Sequence, residues 1–405
     1  MLSVHPISAA GEGSLVIGPD RSGRTVAVAG GRVAAAPPPG ARVLPCASGD
    51  IAPGAVCAHT HLYSGLAPYG MPAPKPTPSN FLEILQRVWW RLDRALDGES
   101  LRASARDAVA RALLAGTTTL VDHHESPAFV EGSLELLAEV CVELGARALL
   151  CYGATERNSG LAEARRGLAE CRRVPESELV RRLVGVHASF TASDETLREA
   201  GRLARELGTV VHVHVAEDGA DVKDARARGY AGPLERLLAL EALPRGSVLA
   251  HGVHLTPEEV ALADGCGLWL VQNPRSNEGN RVGYPSSLRA SARVALGTDG
   301  FEADMAVEEQ ALLRLAGAAG DDGAAGRLAA GQVLAAEAFG TAAIPYSPGS
   351  LGDFVVREAG RVRHVVVGGR VVVEDGRLLA ADWDAIVETS KREASRLWRR
   401  MASIH

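Results

Sequence analysis

Lysine is almost missing from this chain: only Lys75, Lys223 and Lys391 occur among 43 basic residues, so the other 40 are arginines. Paired cysteines are missing too. The six thiols (Cys46, Cys57, Cys141, Cys151, Cys171, Cys266) are scattered with no C-x-x-C spacing. That argues against a disulfide frame or a cysteine-rich zinc site and suits reduced, buried thiols in the cytoplasm. No apolar run approaches the length needed to span a bilayer. The opening MLSVHPISAAGEGSL lacks a basic start followed by an apolar stretch, so no signal peptide is expected. An excess of positive charge is also lacking. The net charge of −6 disfavours nucleic acid as a partner, because phosphate binding needs a basic surface.

What remains is a soluble, cytoplasmic chain of 405 residues, 46% hydrophobic, long enough for one large and one smaller domain. Residues 1–53 read as short strands and turns, and residues 345–382 have the same texture, with β-branched alternation and Gly and Asp-Gly turn signals. Together they predict a small β-sandwich domain built from both chain ends. Residues 383–405 read as a C-terminal surface helix with charges all round.

Residues 54–344 show eight β-branched or apolar runs, each followed by a helical stretch: AVCAHTH, TTTLVDHH, ARALLCYGA, LVGVHASF, TVVHVHVAE, SVLAHGVHL, GLWLVQNP and ARVALGTDG. Near-continuous apolar strands alternating with helices imply a parallel sheet, and eight such units close a (β/α)8 barrel. The Pro-rich insert APYGMPAPKPTPSN follows the first run and cannot be helical. It leads into FLEILQRVWWRLDRAL, an aromatic-faced helix, and is a candidate lid over the barrel mouth.

The strand bodies are apolar, while their C-terminal ends carry His59, His61, Asp122, His123, His124, His187, His214, Glu217, His251, Asn273 and Asp299. Barrel enzymes place their active sites at that face, and packing alone gives no reason to collect polar groups there. His59 and His61, two apart on a strand, point the same way and can reach one ion. With His214 and Asp299 they form a donor set of three imidazoles and one carboxylate that suits Zn²⁺ with one open position. Glu217 sits three residues past His214. His251 is assigned to the site as a base or water-orienting group. His212 packs or hydrogen-bonds internally, His254 caps a loop, and His187 either touches substrate or is structural. Trp89 and Trp90 either stack on a flat ring or pack the first helix.

PGAVCAHTH, GTTTLVDHH, HVHVAED, AHGVHL, QNPRSN and LGTDG occur in order on these strands. With them, residues 51–385 resemble the amidohydrolase superfamily, in its aminohydrolase and chlorohydrolase branch. HLYSGLAP, DHHESP, CYGATERNSG and GVHASFTASDET look most like the aminohydrolase subgroup called SsnA. The resemblance implies His59, His61, His214 and Asp299 as ligands of one divalent ion, Zn²⁺. It further implies Glu217 as proton shuttle and His251 beside the nucleophilic water, with Asp299 touching both metal and water. His187 and Asp93 fall where relatives contact substrate, although Asp93 is shorter than the usual Glu and Gln272 replaces a common His. Trp89, His123, His124 and Asn273 complete the expected substrate contacts. Two-metal relatives carry a lysine at the end of the fourth strand; this chain has His187-Ala-Ser-Phe there, so one metal is expected.

The function implied is hydrolytic deamination at a C–NH2 of a small, purine-like nitrogen heterocycle. Ring-opening hydrolysis of a cyclic amide or amidine would use the same attack, and a metal- or ligand-binding homologue that has lost catalysis is the non-enzymatic alternative. A homo-oligomer, dimer or larger, is implied by the relatives.

Overall fold

The eight apolar runs emerge as eight parallel strands in a computed structural model that describes residues 14–404. The leading residues, on which the signal-peptide expectation mainly rests, and His405 lie outside the described residues. In barrel order the strands are Ala55–Thr60, Thr117–His124, Arg147–Ala154, Val184–Ala188, Val211–Val215, Val248–His251, Trp269–Gln272 and Val294–Leu296, referred to below as first to eighth. Their registers are parallel throughout, as βαβ crossovers require. Except for half-buried Ala55, every residue of the eight strands is buried, which is why they read as continuous apolar runs rather than alternating ones. One short strand, Val180–Arg182, pairs with the third strand and was not anticipated.

The ring closes where the first strand meets the eighth. A parallel bridge joins Thr60 to Asp299, and the amides of Thr298 and Asp299 both donate to His59 O at 2.9 and 3.0 Å. The approach is close enough to require glycine at 297: a Cβ there would lie 2.6 Å from Asn273 Oδ1 and 2.8 Å from His59 N.

Two smaller sheets draw on both ends of the chain. One contains Arg32–Val33, Val26–Ala29, Ser14–Ile17 and Arg42–Leu44, in that order. The other runs Arg377–Leu378, Arg370–Glu374, Arg361–Val367, Phe354–Glu358 and Asp50–Pro53. Their inner faces share a core of Leu15, Ile17, Val28, Ile51, Phe354 and Val366, which makes the pair a sandwich. Arg147 of the third barrel strand anchors it. Its guanidinium forms a bidentate pair with Asp353 at 2.8 and 2.9 Å, both side chains 4% exposed. Replacing Asp353 with Ala strands that charge, and a loss of about 3–5 kcal/mol in urea unfolding is expected. A change below 1 kcal/mol would show that the pair does not hold the sheets to the barrel.

The C-terminal helix, Trp383–Ser403, corrects the sequence expectation. It is not charged all round: Ile386, Ser390, Ala394, Leu397 and Met401 recur at helical spacing and are buried against the helix Gly98–Ala115. Trp398 Nε1 donates to Tyr69 O at 3.0 Å, pinning the start of the Pro-rich insert.

Candidate active site at the barrel mouth

The strand ends deliver the polar residues to one point. His61 Nε2 lies 2.8 Å from Asp299 Oδ1 and 3.4 Å from His214 Nε2, and His59 Nε2 lies 3.3 Å from Asp299 Oδ1. A tetrahedron built on zinc–nitrogen bonds of about 2.0–2.1 Å has edges of about 3.4 Å, so these spacings match a shared cation. Ligand atoms of His59, His214, His251 and Asp299 also fall within 4.8 Å of one another. Five side chains therefore converge, one more than the four ligands expected.

Each imidazole is held from behind. His61 Nδ1 donates to His123 O at 2.5 Å, His214 Nδ1 to His187 O at 2.6 Å, and His59 Nδ1 pairs with His212 Nε2 at 2.9 Å. Carbonyl acceptors fix the tautomer and leave Nε2 as a lone pair facing inward. His212, read as an internal hydrogen-bonding residue, orients His59. The buried Nε2 atoms of His59 and His251 have no hydrogen-bond partner among the described residues. Orphaned buried acceptors are expensive, and a cation satisfies them. The donor set thus fits a divalent ion. Backbone strain gathers at the same place: Ala216, His251 and Asp299 all have positive φ, at 50°, 77° and 54°.

Electrostatics separate the roles. Burial opposes charge on His61, but the hydrogen bond to Asp299, the charges of Asp299 and Asp122 and the His123 carbonyl together outweigh it and lift His61 to about 9. Asp299 stays well below the usual carboxylate range: the His59 and His61 contacts outweigh burial. A proton on His61 competes with a cation, so metal affinity should rise roughly tenfold per pH unit up to about pH 9. Chelator competition between pH 6 and 9 measures this, and a flat profile would exclude His61 as a ligand.

Glu217 is pushed well above the ordinary carboxyl value, first by burial and then by the Asp299 charge, which favours its protonated form. Its Oε2 is 3.6 Å from His251 Nε2, and its Oε1 accepts from Asn280 Nδ2 at 3.2 Å. His251 Nδ1 donates to Asn277 Oδ1 at 2.9 Å, leaving Nε2 unprotonated.

Above this centre opens a pocket of about 650 Å³, a volume that includes the solvent at its open mouth. Phe81, Leu85, Trp89, Trp90 and Phe190 form its apolar wall, with His187, Glu125 and Tyr63 on the polar side. Trp89 packs on Gly300, where a Cβ would come within 3.1 Å of the indole. His187 and Trp89 stand where substrate contact was expected. Asp93, His123, His124 and Asn273 do not. All four are at most 2% exposed and none lines the pocket. Asp93 pairs with Arg157 at 2.8 Å; His123 Nε2 donates to Val186 O at 3.1 Å; His124 Nε2 pairs with Ser126 Oγ at 2.8 Å; Asn273 Nδ2 lies 3.4 Å from His251 Nδ1. They support the walls rather than face the cavity. No residue of the Pro-rich insert, Lys75 included, lines the pocket.

The sequence reading missed Glu125, Tyr63, Asn277 and Asn280. The last two follow Asn-Pro in NPRSNEGN, on and just past the helix Pro274–Gly279. Asn277 closes the QNPRSN motif, but spacing alone gives neither asparagine a task.

Residues 51–372 match the Amidohydrolase family. The chain belongs to that family. Among curated relatives of this amidohydrolase, a 5'-deoxyadenosine deaminase of Methanopyrus kandleri is 29% identical over 390 residues, covering 86% of each chain. A 5-methylthioadenosine/S-adenosylhomocysteine deaminase of Natronomonas pharaonis is 28% identical, covering 88% of this chain and 89% of its own. Among solved structures, an adenosine deaminase from Xanthomonas campestris with bound zinc superposes with a TM-score of 0.80 at 23% identity, covering 95% and 97%. The last likeness speaks to the amidohydrolase fold alone. Among the described residues no helix is long and apolar enough to cross a membrane.

Proposed function

We propose that this amidohydrolase is a hydrolytic deaminase that replaces a C–NH2 of a purine-like heterocycle with C=O, releasing ammonia. The observation that carries the reading is the convergence of inward-facing imidazoles and Asp299 at cation-ligand spacing, with the Glu217 carboxyl 3.6 Å from His251 Nε2. His59, His61, His214 and Asp299 hold one divalent ion, for which the nitrogen-rich set favours Zn²⁺. When bound, such an ion acidifies a water molecule towards neutrality.

The chain's own residues do the rest. Glu217 carries a proton at a carboxyl oxygen and delivers it to the ring nitrogen next to the amino-bearing carbon, making that carbon more electrophilic. His251, locked by Asn277, presents Nε2 as the acceptor for a proton of the attacking water. Once the C–O bond has formed, a proton returned to the exocyclic nitrogen lets the C–N bond break and ammonia leave. Trp89, Trp90 and Phe190 offer flat apolar surface to a heterocycle and exclude bulk water. The deaminase names of the curated relatives support this chemistry.

Incubation of zinc-loaded protein with aminopurines and adenine nucleosides, aminopyrimidines, triazines and cyclic ureas should release ammonia from a member of the aminopurine group. Ring-opened product without ammonia would overturn the proposal in favour of cyclic amide hydrolysis.

A further inference from the structure

The pocket holds five carboxyl groups (Glu125, Glu217, Asp218, Asp221 and Asp299), and none of its lining residues is a lysine or an arginine. Two are taken up by the chemistry already described. The other three belong to the wall beyond the reacting centre, at the ends of the second and fifth strands.

Asp221 is the informative one. It is 2% exposed, and its Oδ2 accepts from Ala216 N at 2.8 Å. Apart from a weak approach of the Phe190 amide to this carboxyl, its Oδ1 has no partner among the described residues, and the residue lines the cavity. A buried acceptor left open on a pocket wall is satisfied by a donor that arrives with the ligand. Positive charge nearby is already spent: Arg236, whose field reaches Asp221, is fully buried, paired with Asp194 and bonded to the Ser189 and Ala192 carbonyls. Arg157, 7% exposed, is shared between Asp93 and Glu125, lies over the Trp90 ring and is not part of the lining. A helix N-terminus could receive an anion. The helix Gly219–Ala227 that starts at this wall is capped instead by Asp218, whose Oδ1 accepts from Ala220 N at 2.9 Å.

We propose that the part of the substrate beyond the reacting ring is uncharged or cationic, bearing hydroxyl or amine donors and no phosphate or carboxylate, and that Asp221, with Asp218 and Glu125, selects it. Whether these carboxyls are ionised or protonated, the wall offers an anion no compensating cation, and a phosphate buried there loses its hydration without return. The inference rests on the deaminase reading and narrows it. Of the substrates named for its relatives, it favours the 5'-deoxy and 5-methylthio nucleosides over S-adenosylhomocysteine, whose amino-acid end carries a carboxylate.

Three forms of one adenine nucleoside test this on metal-loaded protein: 5'-hydroxyl, 5'-amine and 5'-phosphate. The kcat/KM for the phosphate should fall on the order of 100-fold below the hydroxyl compound, with the amine equal to or better than it. Asp221→Asn, which keeps an oxygen for Ala216 N, should lower the amine-to-hydroxyl ratio, and Asp218→Asn provides a second variant should the first fail to fold. A phosphate within threefold of the hydroxyl compound, or an unchanged ratio in both variants, would overturn the proposal. If none releases ammonia, calorimetric ranking of the same three ligands decides the charge preference, while the deaminase reading stands or falls on the wider panel. Failure of all three to bind would end the proposal.

Discussion

Replacing Glu217 with glutamine is expected to lower kcat by about 10²–10⁴ while leaving the metal content and fold of the protein unchanged. The magnitude is that of a positioned general acid. Glutamine matches the carboxyl group in size and can keep the contact with Asn280, so the substitution removes the transferable proton and little else. Because burial and the neighbouring Asp299 raise the Glu217 carboxyl, activity should also fall once the pH is high enough to remove its proton. Metal analysis beside steady-state kinetics makes the test. Turnover at the wild-type level in Glu217→Gln would remove this side chain from the reaction.

Replacing Asp299 with asparagine should have an even larger effect by a different route. Asp299 is the one carboxylate in the proposed donor set, and it holds His61, His59 and Ser276 Oγ together. Without its charge the remaining donors are neutral imidazoles, and a divalent ion loses its only anionic ligand. Bound metal should drop well below one equivalent, and kcat should fall by at least about 10³, given the several kcal/mol a metal ion contributes to such reactions. The two variants therefore separate cleanly: Glu217→Gln keeps metal and loses turnover, whereas Asp299→Asn loses both. Full metal content in Asp299→Asn would show that the cation sits elsewhere.

The barrel was legible because its strands are buried on both faces and so form unbroken apolar runs, a signal that survives without any knowledge of partners. The ligand candidates were legible because histidine and aspartate at such strand ends have no packing motive. What sequence could not give was pairing across long separations. Asp93 was placed against substrate, but it meets Arg157, 64 residues away, and turns from the cavity. Asn277 fixes His251 from 26 residues downstream, a relation no local spacing encodes. Asp221 is a further instance: on a helix it reads as an ordinary surface acid, and only the turn of the chain after the fifth strand buries it. The C-terminal helix lies where the sequence put it, and only its buried face went unread, for a simpler reason. Its apolar stripe is there in the sequence, but the intervening arginines mask it.

The joint between the first and eighth strands has a thermodynamic corollary. It is made by the same short peptides that present His59, His61 and Asp299, so whatever ties those side chains together also staples the cylinder shut. Cation occupancy and breathing of that seam then become one equilibrium: hydrogen exchange at the Thr298 and Asp299 amides should slow as the ion is titrated in, while amides between the third and fourth strands keep their rate.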